Sequence, residues 1–308
     1  MQVQVINVRP NAGNGLWLGL ILPVAITRSF IKYTDESSEL YHYSFVFSLA
    51  IAYATILFIL RYIKNRSVEL STRYFVVSAI AISCIFYILF GKGMVLSLYS
   101  GILSTVGFYR IYRYLLKSFP LSFTLGEALF CAQGFTIFLY STVINLYYSI
   151  NIPLQTNLQI STFIIQVGLL SLTLICYLSH RYECFRSPCT FYVMSVIIVL
   201  FVLILPLYLI LRQNPLLWIF ELITEDFNIL FMFAYWVLCI SCAIYLVSKQ
   251  IKGAQKASTV IRKSFHVLAI LVFLPGLLFE CTFLYLASGI MLGVFIALEV
   301  TNIFLNCI

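Results

Sequence analysis

The sequence predicts an all-α, polytopic bundle of about nine to ten transmembrane helices. Of the 308 residues, 62% are hydrophobic and only 10% are charged, and the mean hydropathy is +1.01. Such a composition excludes a soluble globular protein. Apolar windows of roughly 20 residues, the length that crosses a hydrocarbon layer of about 30 Å, recur with short polar breaks. These runs lack the alternation of a membrane β-barrel, so the backbone must be helical.

The apolar windows define about ten spans in chain order, each with boundaries soft by a few residues. The first span lacks a basic leader and a small-residue cleavage site, so we expect a retained helix and not a removed signal peptide. The predicted spans cover residues 16–26, 41–60, 74–90, 93–109, 125–147, 158–178, 191–211, 227–247, 265–279 and 283–305.

Charge alternates from loop to loop along the chain. Under the positive-inside rule the basic loops face the cytoplasm, which places both termini there, and Lys92 alone runs against the pattern. The net charge of +8 comes from these loops and from no compact polar domain, so we expect no nucleic-acid partner. The basic loops carry Arg61, Lys64, Arg66 and Arg73; Arg110, Arg113 and Lys117; Arg181 and Arg186; and Lys249, Lys252, Lys256, Arg262 and Lys263.

Cysteine usage predicts no metal site. Most of the nine cysteines lie inside apolar runs, where Cys behaves as a small buried hydrophobe. Cys184 and Cys189 share a short basic loop, but a structural zinc site needs four ligands and no others follow at ligand spacing.

A cluster of cations stands at the start of the apolar run 265–279. On a helix that begins near Ser258, Arg262 and His266 share one face and Lys263 flanks it. Cations in a first turn oppose the helix dipole, which favours a bound phosphate or carboxylate among them. The alternative is that Arg262 and Lys263 only anchor the helix at the cytoplasmic interface.

Three features of the last two spans are further candidates. Pro275-Gly276 interrupts a short span, which suggests a broken helix, a re-entrant segment or a simple kink. Glu299 lies within the last apolar run, where a carboxylate costs about 2.5 to 3.5 kcal/mol. It is expected to face protein, water or a cation, or to sit at the interface. Glu280, in the turn between the spans, is a weaker candidate.

Thr124 and Glu127 match a capping box at the start of a span, with the Thr124 hydroxyl and the Glu127 carboxylate each accepting a backbone N–H. This structural role alone would explain Glu127. We keep Glu127 as a weaker candidate for substrate binding, because its span begins on the cytoplasmic side.

Three stretches of the chain resemble the dolichol kinase family. The longest, RKSFHVLAILVFLPGLLFECTFLYLASGIMLGVFIALE, starts at Arg262, ends at Glu299 and is similar to the block that precedes the nucleotide site in that family. The others are SFTLGEAL from Ser122, and RQNPLLW from Arg212 with Ala234-Tyr235-Trp236 downstream. This chain has Asn302 where relatives carry Arg. Residues 121–308 thus form the region of resemblance, and 1–120 an N-terminal transmembrane region known by hydropathy alone.

The resemblance implies an enzyme of the endoplasmic reticulum membrane that phosphorylates dolichol or another polyprenol with CTP and a divalent cation, in support of protein N-glycosylation. It implies that Arg262, Lys263, His266 and Glu299 bind the phosphate-bearing head group. The family's nucleotide-binding sequences follow this block, and the chain stops at Ile308, so we expect a form without the CTP and metal sites and identify no catalytic residue. The alternative function is a non-catalytic membrane transporter or lipid-handling protein.

Overall fold

The computed structural model describes residues 8–9, 12–33, 39–65, 72–91, 93–150, 153–154, 156–252 and 259–305. Within these ranges every regular element is a helix, which confirms the predicted all-α polytopic fold. The helices are α1 (Leu18–Lys32), α2 (Glu39–Asn65), α3 (Thr72–Phe90), α4 (Met94–Ile102), α5 (Phe108–Ser118), α6 (Leu125–Ser149), α7 (Asn157–Arg181), α8 (Pro188–Ile198), α9 (Leu205–Leu211), α10 (Pro215–Glu225), α11 (Phe227–Lys252), α12 (Thr259–Phe279) and α13 (Cys281–Leu305).

Two π-helical turns, Leu103–Gly107 and Val199–Ile204, join α4 to α5 and α8 to α9 without ending the helix. When each joined pair is counted as one helix, seven stretches in the described ranges are long and apolar enough to cross a membrane. They are Tyr41–Lys64, Met94–Ser118, Leu125–Ser149, Asn157–Arg181, Pro188–Leu211, Phe227–Lys249 and Cys281–Ile303. The other three predicted spans coincide with α1, which has 15 residues, and with the shorter apolar stretches Phe75–Phe90 and His266–Phe279. The chain is a multi-pass membrane protein.

The helices form two compact units that meet in sequence at Tyr147 and Tyr148. We call them unit 1, with α1 to α6, and unit 2, with α7 to α13. This division rests on packing, whereas the predicted regions 1–120 and 121–308 rest on sequence resemblance.

In unit 1, α3 and α4 form a hairpin whose backbones approach closely. Gly91 and Gly93 in its turn have φ values of 61° and 99°, which glycine adopts without strain. Further along, a Cβ at Gly101 would overlap Ser83 Oγ and the Ala79 carbonyl oxygen. Small residues at such crossings allow helices to pack through backbone contact, which suits a membrane interior.

A buried amide links three helices of unit 1. The Gln133 side chain, on α6, is 0% exposed. Its Nε2 donates to the Gly19 carbonyl of α1 at 2.6 Å and to Thr55 Oγ1 of α2 at 2.8 Å. Because lipid supplies no hydrogen-bond partner, this amide favours one arrangement of α1, α2 and α6 over others.

In unit 2, α7 and α13 pack in parallel through glycines. A Cβ at Gly289 would collide with Ile165, and one at Gly293 would touch Leu172, so residue numbers rise together along the two helices. The core around them includes Phe163, Trp218, Trp236, Phe283 and Leu286. The end of α7, the end of α13 and the start of α12 therefore lie at one end of unit 2, because α12 turns into α13 at the other.

Helix α10 lies outside the spans that hydropathy predicts. Asn214 caps it, with Oδ1 accepting from the Leu216 N–H at 2.9 Å, and Pro215 occupies its first position. Trp218 and Leu222 are buried in the core of unit 2, while Leu216 and Leu217 are exposed. With 11 residues α10 is too short to span, so it adds no crossing.

Pro275-Gly276 does not break its helix. Helix α12 continues from Thr259 to Phe279 with Pro275 inside it. The turn to α13 comes at Glu280, whose N–H donates to the Gly276 carbonyl at 3.1 Å. Its carbonyl in turn accepts from the Leu284 N–H at 3.0 Å. Gly276 lets α13 approach, since a Cβ there would lie 2.9 Å from Leu284 Cβ.

Candidate functional site

The predicted cation cluster lies in the first turns of α12. Arg262, Lys263 and His266, which we call the rim, follow the helix start at Thr259 closely, as the sequence predicts. The side chains of Lys263 and His266 are exposed, and the side chain of Arg262 lies outside the described residues. The helical register places Arg262 and His266 on one face, one turn apart. The first backbone N–H groups of a helix have no intrahelical acceptor, and in α12 they lie beside these cations. The rim therefore favours a bound anion.

The rim shares its end of unit 2 with other basic residues. Helices α11 and α12 run antiparallel, since Tyr235 contacts Leu271 and the more N-terminal Phe231 lines a space beside the more C-terminal Pro275. Lys249, near the end of α11, is exposed at the same end as the rim. The C-terminal turn of α7 adds the exposed side chains of His180 and Arg181 to that end. This positive end is the one that the positive-inside rule assigns to the cytoplasm.

One arginine of this end has a structural role. Arg186 Nε donates to the Ser179 carbonyl at 3.1 Å, and its Nη2 donates to the His180 carbonyl at 2.9 Å. These carbonyls belong to the last turn of α7, where four backbone oxygens have no intrahelical donor. Arg186 therefore caps α7, and its guanidinium is already engaged.

Glu299 lies at the same end of unit 2 as the rim. Leu284 lies against Gly276 near the turn between α12 and α13, and Glu299 lies about 22 Å further along α13. The side chain of Glu299 is exposed. Within the described part of the chain no ion pair joins Glu299 to Lys263 or His266. The structure thus brings Glu299 to the level of the rim without an ion pair to either of those two residues.

Glu280 lies at the opposite end of unit 2 from the rim. It is half-buried in the turn between α12 and α13, about 25 Å from Lys263 along the helix axis. Its backbone joins the two helices through hydrogen bonds to Gly276 and Leu284. The structure does not bring Glu280 together with the rim.

Glu127 belongs to unit 1 and has the predicted capping geometry. The Thr124 N–H donates to Glu127 Oε2 at 2.9 Å, and the Glu127 N–H donates to Thr124 Oγ1 at 3.2 Å, which confirms the capping box. Oε2 also pairs with Arg9 Nη2 at 2.6 Å. Arg9 Nη2 also donates to the Ser122 carbonyl at 2.8 Å, so this cluster fastens the N-terminal segment to the start of α6.

The N-terminal segment also contacts α6 through its backbone. The Gly126 N–H donates to the Asn14 carbonyl at 2.9 Å, and a Cβ at Gly126 would overlap the Gly15 backbone. The block SFTLGEAL, selected in the sequence for its resemblance to a family, is thus the docking surface for residues 9 and 14–15. This contact could not be predicted from the sequence, because a close backbone approach needs only the absence of a side chain.

Two motifs that the sequence left separate meet in unit 2. Tyr235 Oη donates to the Leu271 carbonyl at 3.0 Å, and Trp236 Nε1 donates to the Val272 carbonyl at 3.2 Å. Pro275 has no N–H, so Leu271, four residues earlier, loses its helical donor and Tyr235 replaces it. The signal was present in the sequence: a proline inside a membrane helix requires a donor from a neighbouring helix.

Apolar space adjoins these helices. A cavity of about 270 Å³ lies between α7, the π-helical turn after α8 and α13, and a larger one of about 540 Å³ lies between α11 and α12. The first is bordered by Gly168, Gly289 and Gly293 among mostly aliphatic side chains. Such walls accept hydrocarbon and offer nothing to bind a charged group.

The described residues thus place exposed cations at one end of an apolar body. Within the described ranges no group of three or more His, Cys, Asp or Glu side chains could hold a metal ion. Cys184 and Cys189 are both exposed free thiols. A divalent cation has no carboxylate set to bind among these residues, and we assign them no step that requires one.

The family model described as "Dolichol kinase" matches residues 45–307. The match begins well before Ser122, where the resemblance recognised by motif begins. No solved structure matches the chain.

The curated relatives bear the same name. Dolichol kinase of Bos taurus is 28% identical over 243 residues, which cover 74% of this chain and 44% of the relative. Dolichol kinase of Homo sapiens is 28% identical over 201 residues, covering 62% and 37%. Dolichol kinase EVAN of Arabidopsis thaliana is 33% identical over 93 residues, covering 30% and 16%. The chain thus spans less than half the length of these relatives. It belongs to the dolichol kinase family.

Proposed function

We propose that this chain forms the lipid-binding membrane part of a dolichol kinase, in which the rim binds the head group of the polyprenol. The observation that carries the proposal is the exposure of Lys263 and His266 in the first turns of an otherwise apolar helix. Membership of the family, whose match includes all three rim residues, supports it.

The reaction in the proposal is transfer of the γ-phosphoryl group of CTP to the hydroxyl of dolichol. The dolichol oxygen forms a bond to the γ-phosphorus, the bond to the CDP oxygen breaks, and the hydroxyl proton passes to a base. Dolichyl phosphate, the product, would serve N-glycosylation at the endoplasmic reticulum membrane. CTP, the divalent cation and this location come from the resemblance to the family.

The rim contributes binding and orientation to such a reaction. Arginine presents a planar fork of donors to phosphate oxygens, lysine presents a compact charge, and histidine adds a donor one turn further along the helix. The N-terminal N–H groups of α12 add positive potential at the same place. Together these groups would hold the oxygen-bearing end of the lipid at the cytoplasmic surface while its hydrocarbon remains among the helices.

Binding of dolichyl phosphate tests this proposal. The purified chain is reconstituted in phosphatidylcholine nanodiscs and titrated with dolichyl phosphate, dolichol and phosphatidic acid. We expect saturable binding of dolichyl phosphate, about tenfold tighter than phosphatidic acid at equal mole fraction, since only dolichyl phosphate combines the phosphate with an isoprenoid. Equal binding of both phosphates would instead support a general lipid-handling protein.

A transfer assay accompanies the titration. With CTP labelled at the γ-phosphate and magnesium or calcium present, we expect the chain alone to form no labelled dolichyl phosphate. Positioning of the triphosphate and stabilisation of its charge carry most of the rate in such reactions, and the described residues include no group that could hold the metal ion. Protein-dependent transfer would show that the nucleotide site lies within these 308 residues.

A further inference from the structure

Tyr235, Trp236 and Pro275 form a latch between α11 and α12. Proline removes the N–H that would bond to the Leu271 carbonyl, and its ring pushes that carbonyl away. Tyr235 Oη supplies the missing donor at 3.0 Å. Trp236 Nε1 donates to the next carbonyl, that of Val272, at 3.2 Å. Two consecutive carbonyls in the turn before Pro275 are therefore bound by two consecutive side chains of α11.

Proline bends a helix, and packing leaves this bend some freedom. An open groove of about 540 Å³ lies beside Tyr235 and Pro275, bordered by the exposed Phe231 and Phe279, so α12 has space to move against α11 on that side. In lipid, no water can satisfy the Leu271 carbonyl, so its hydrogen bond to Tyr235 restricts the bend angles that α12 can adopt.

The two members of the latch differ in their surroundings. Trp236 is buried and stacks on Phe283 of α13, with ring centroids 5.1 Å apart. Tyr235 is only partly buried, and its hydroxyl joins it to α12 through the hydrogen bond to the Leu271 carbonyl. Replacing Tyr235 with Phe therefore removes the donor and retains the ring, whereas any change at Trp236 also disturbs the core.

A small change in the bend of α12 at Pro275 would displace the rim, because the rim lies far from Pro275 along the helix. Arg262 precedes Pro275 by 13 residues, which is about 20 Å along a helix. A change of about 10° in the bend would displace the rim by about 3 Å, and misplacement of about 1 Å can cost 100-fold in an enzyme.

We propose that Tyr235 is a positioning residue for the rim: its hydroxyl sets the bend of α12 at Pro275 and thereby the place of Arg262, Lys263 and His266. The role of the rim rests on the proposed function. The control of the bend rests on the hydrogen bonds alone and is tested separately.

The first experiment measures the bend without any ligand. Spin labels are placed at Ile244 of α11 and Val267 of α12, both exposed, through introduced p-acetylphenylalanine residues that leave the native cysteines unmodified. Distance distributions are recorded in nanodiscs for the parent chain, Tyr235→Phe and Tyr245→Phe. Tyr245 is an exposed tyrosine of the same helix and serves as the matched control. We expect a shifted or broadened distribution for Tyr235→Phe and none for Tyr245→Phe.

A second variant separates the hydrogen bond from general loss of stability. Pro275→Ala restores an N–H to the Leu271 carbonyl, so the Tyr235 hydroxyl is no longer needed there. We expect Tyr235→Phe to have a much smaller effect on the distance distribution in a Pro275→Ala background than in the parent. Equal effects in both backgrounds, or unchanged distances for Tyr235→Phe, would overturn the proposal.

The third experiment connects the bend to binding. We expect Tyr235→Phe to weaken binding of dolichyl phosphate about tenfold, through the displaced rim, and Tyr245→Phe to leave it unchanged. Shifted distances with unchanged affinity would overturn the positioning role and leave the proposed function intact. A parent chain that binds no dolichyl phosphate would contradict the proposed function, and the distance measurements would still decide whether Tyr235 sets the bend.

Discussion

At the scale of the residue, single polar groups have roles that their types alone do not reveal. Glu127 was a candidate for substrate binding and a member of a capping box, and the structure adds an ion pair with Arg9. The predicted capping box is confirmed because its pattern is local, three residues apart on one turn. Arg9 was not predicted as its partner, because 118 residues separate the two in sequence.

Two substitutions at Glu127 separate the cap from the ion pair. Glutamine preserves a capping box, so Glu127→Gln should lose only the ion pair with Arg9, in which the side chains are 45% and 35% exposed, and cost at most about 1 kcal/mol of unfolding free energy. Glu127→Ala also removes the cap and should cost about 1 kcal/mol more. Denaturant unfolding in mild detergent measures both, with exposed Glu221→Gln as the control. Equal losses for the two variants would contradict this assignment.

At the scale of the element, the sequence predicts where helices lie far better than how they pair. All ten predicted spans coincide with described helices, because hydropathy acts along a continuous stretch. The crossing of α3 and α4 at Gly101 depends on contacts between residues distant in sequence, and so does the latch at Pro275. Helix α10 escaped prediction because it is short, although Asn214 and Pro215 form a typical start signal.

The α3–α4 crossing predicts opposite outcomes for two glycine substitutions. Alanine is favoured over glycine in a helix by about 1 kcal/mol. Gly134→Ala meets no atom within 4 Å and should be neutral or stabilising. Gly101→Ala would place its Cβ against Ala79 and Ser83, forcing α3 and α4 apart, and should destabilise the protein by about 1 to 3 kcal/mol. Thermal unfolding in the same detergent compares the two variants. Equal stability of Gly101→Ala and Gly134→Ala would contradict a close crossing of α3 and α4 at Gly101.

At the scale of the whole molecule, each unit has a basic end. In unit 1, Arg61 and Lys64 near the end of α2 join Arg110, Arg113 and Lys117 of α5, since Phe58 and Tyr112 contact each other with ring centroids 5.1 Å apart. In unit 2 the rim, Lys249 and Arg181 form the corresponding end. The alternation of loop charge predicts this asymmetry from the sequence, and the helix directions agree with it except at the end of α1, where Arg28 and Lys32 lie beside the start of α2 at the other end of unit 1.

Labelling tests the orientation that this asymmetry predicts. In sealed microsomes, whose outer face is cytoplasmic, a cysteine introduced at exposed Lys249 in a cysteine-free background should react with an impermeant maleimide added outside. A cysteine at Asp226, at the other end of α11, should react only after the microsomes are permeabilised. The reverse pattern would invert the topology and remove the rim from the cytoplasm.

Binding of a polyprenol's phosphate-bearing head group by the rim is tested by the affinity for dolichyl phosphate of Arg262→Gln/Lys263→Gln in nanodiscs. A charge-assisted hydrogen bond contributes about 1.5 to 3 kcal/mol, so we expect a loss of about 100-fold. The control Arg181→Gln/Lys249→Gln removes two exposed cations from the same end of unit 2 and should lose less than about threefold, through the general field alone. Equal losses in both double variants, or undiminished binding in the rim variant, would contradict the claim and reduce Arg262 and Lys263 to anchors at the membrane surface.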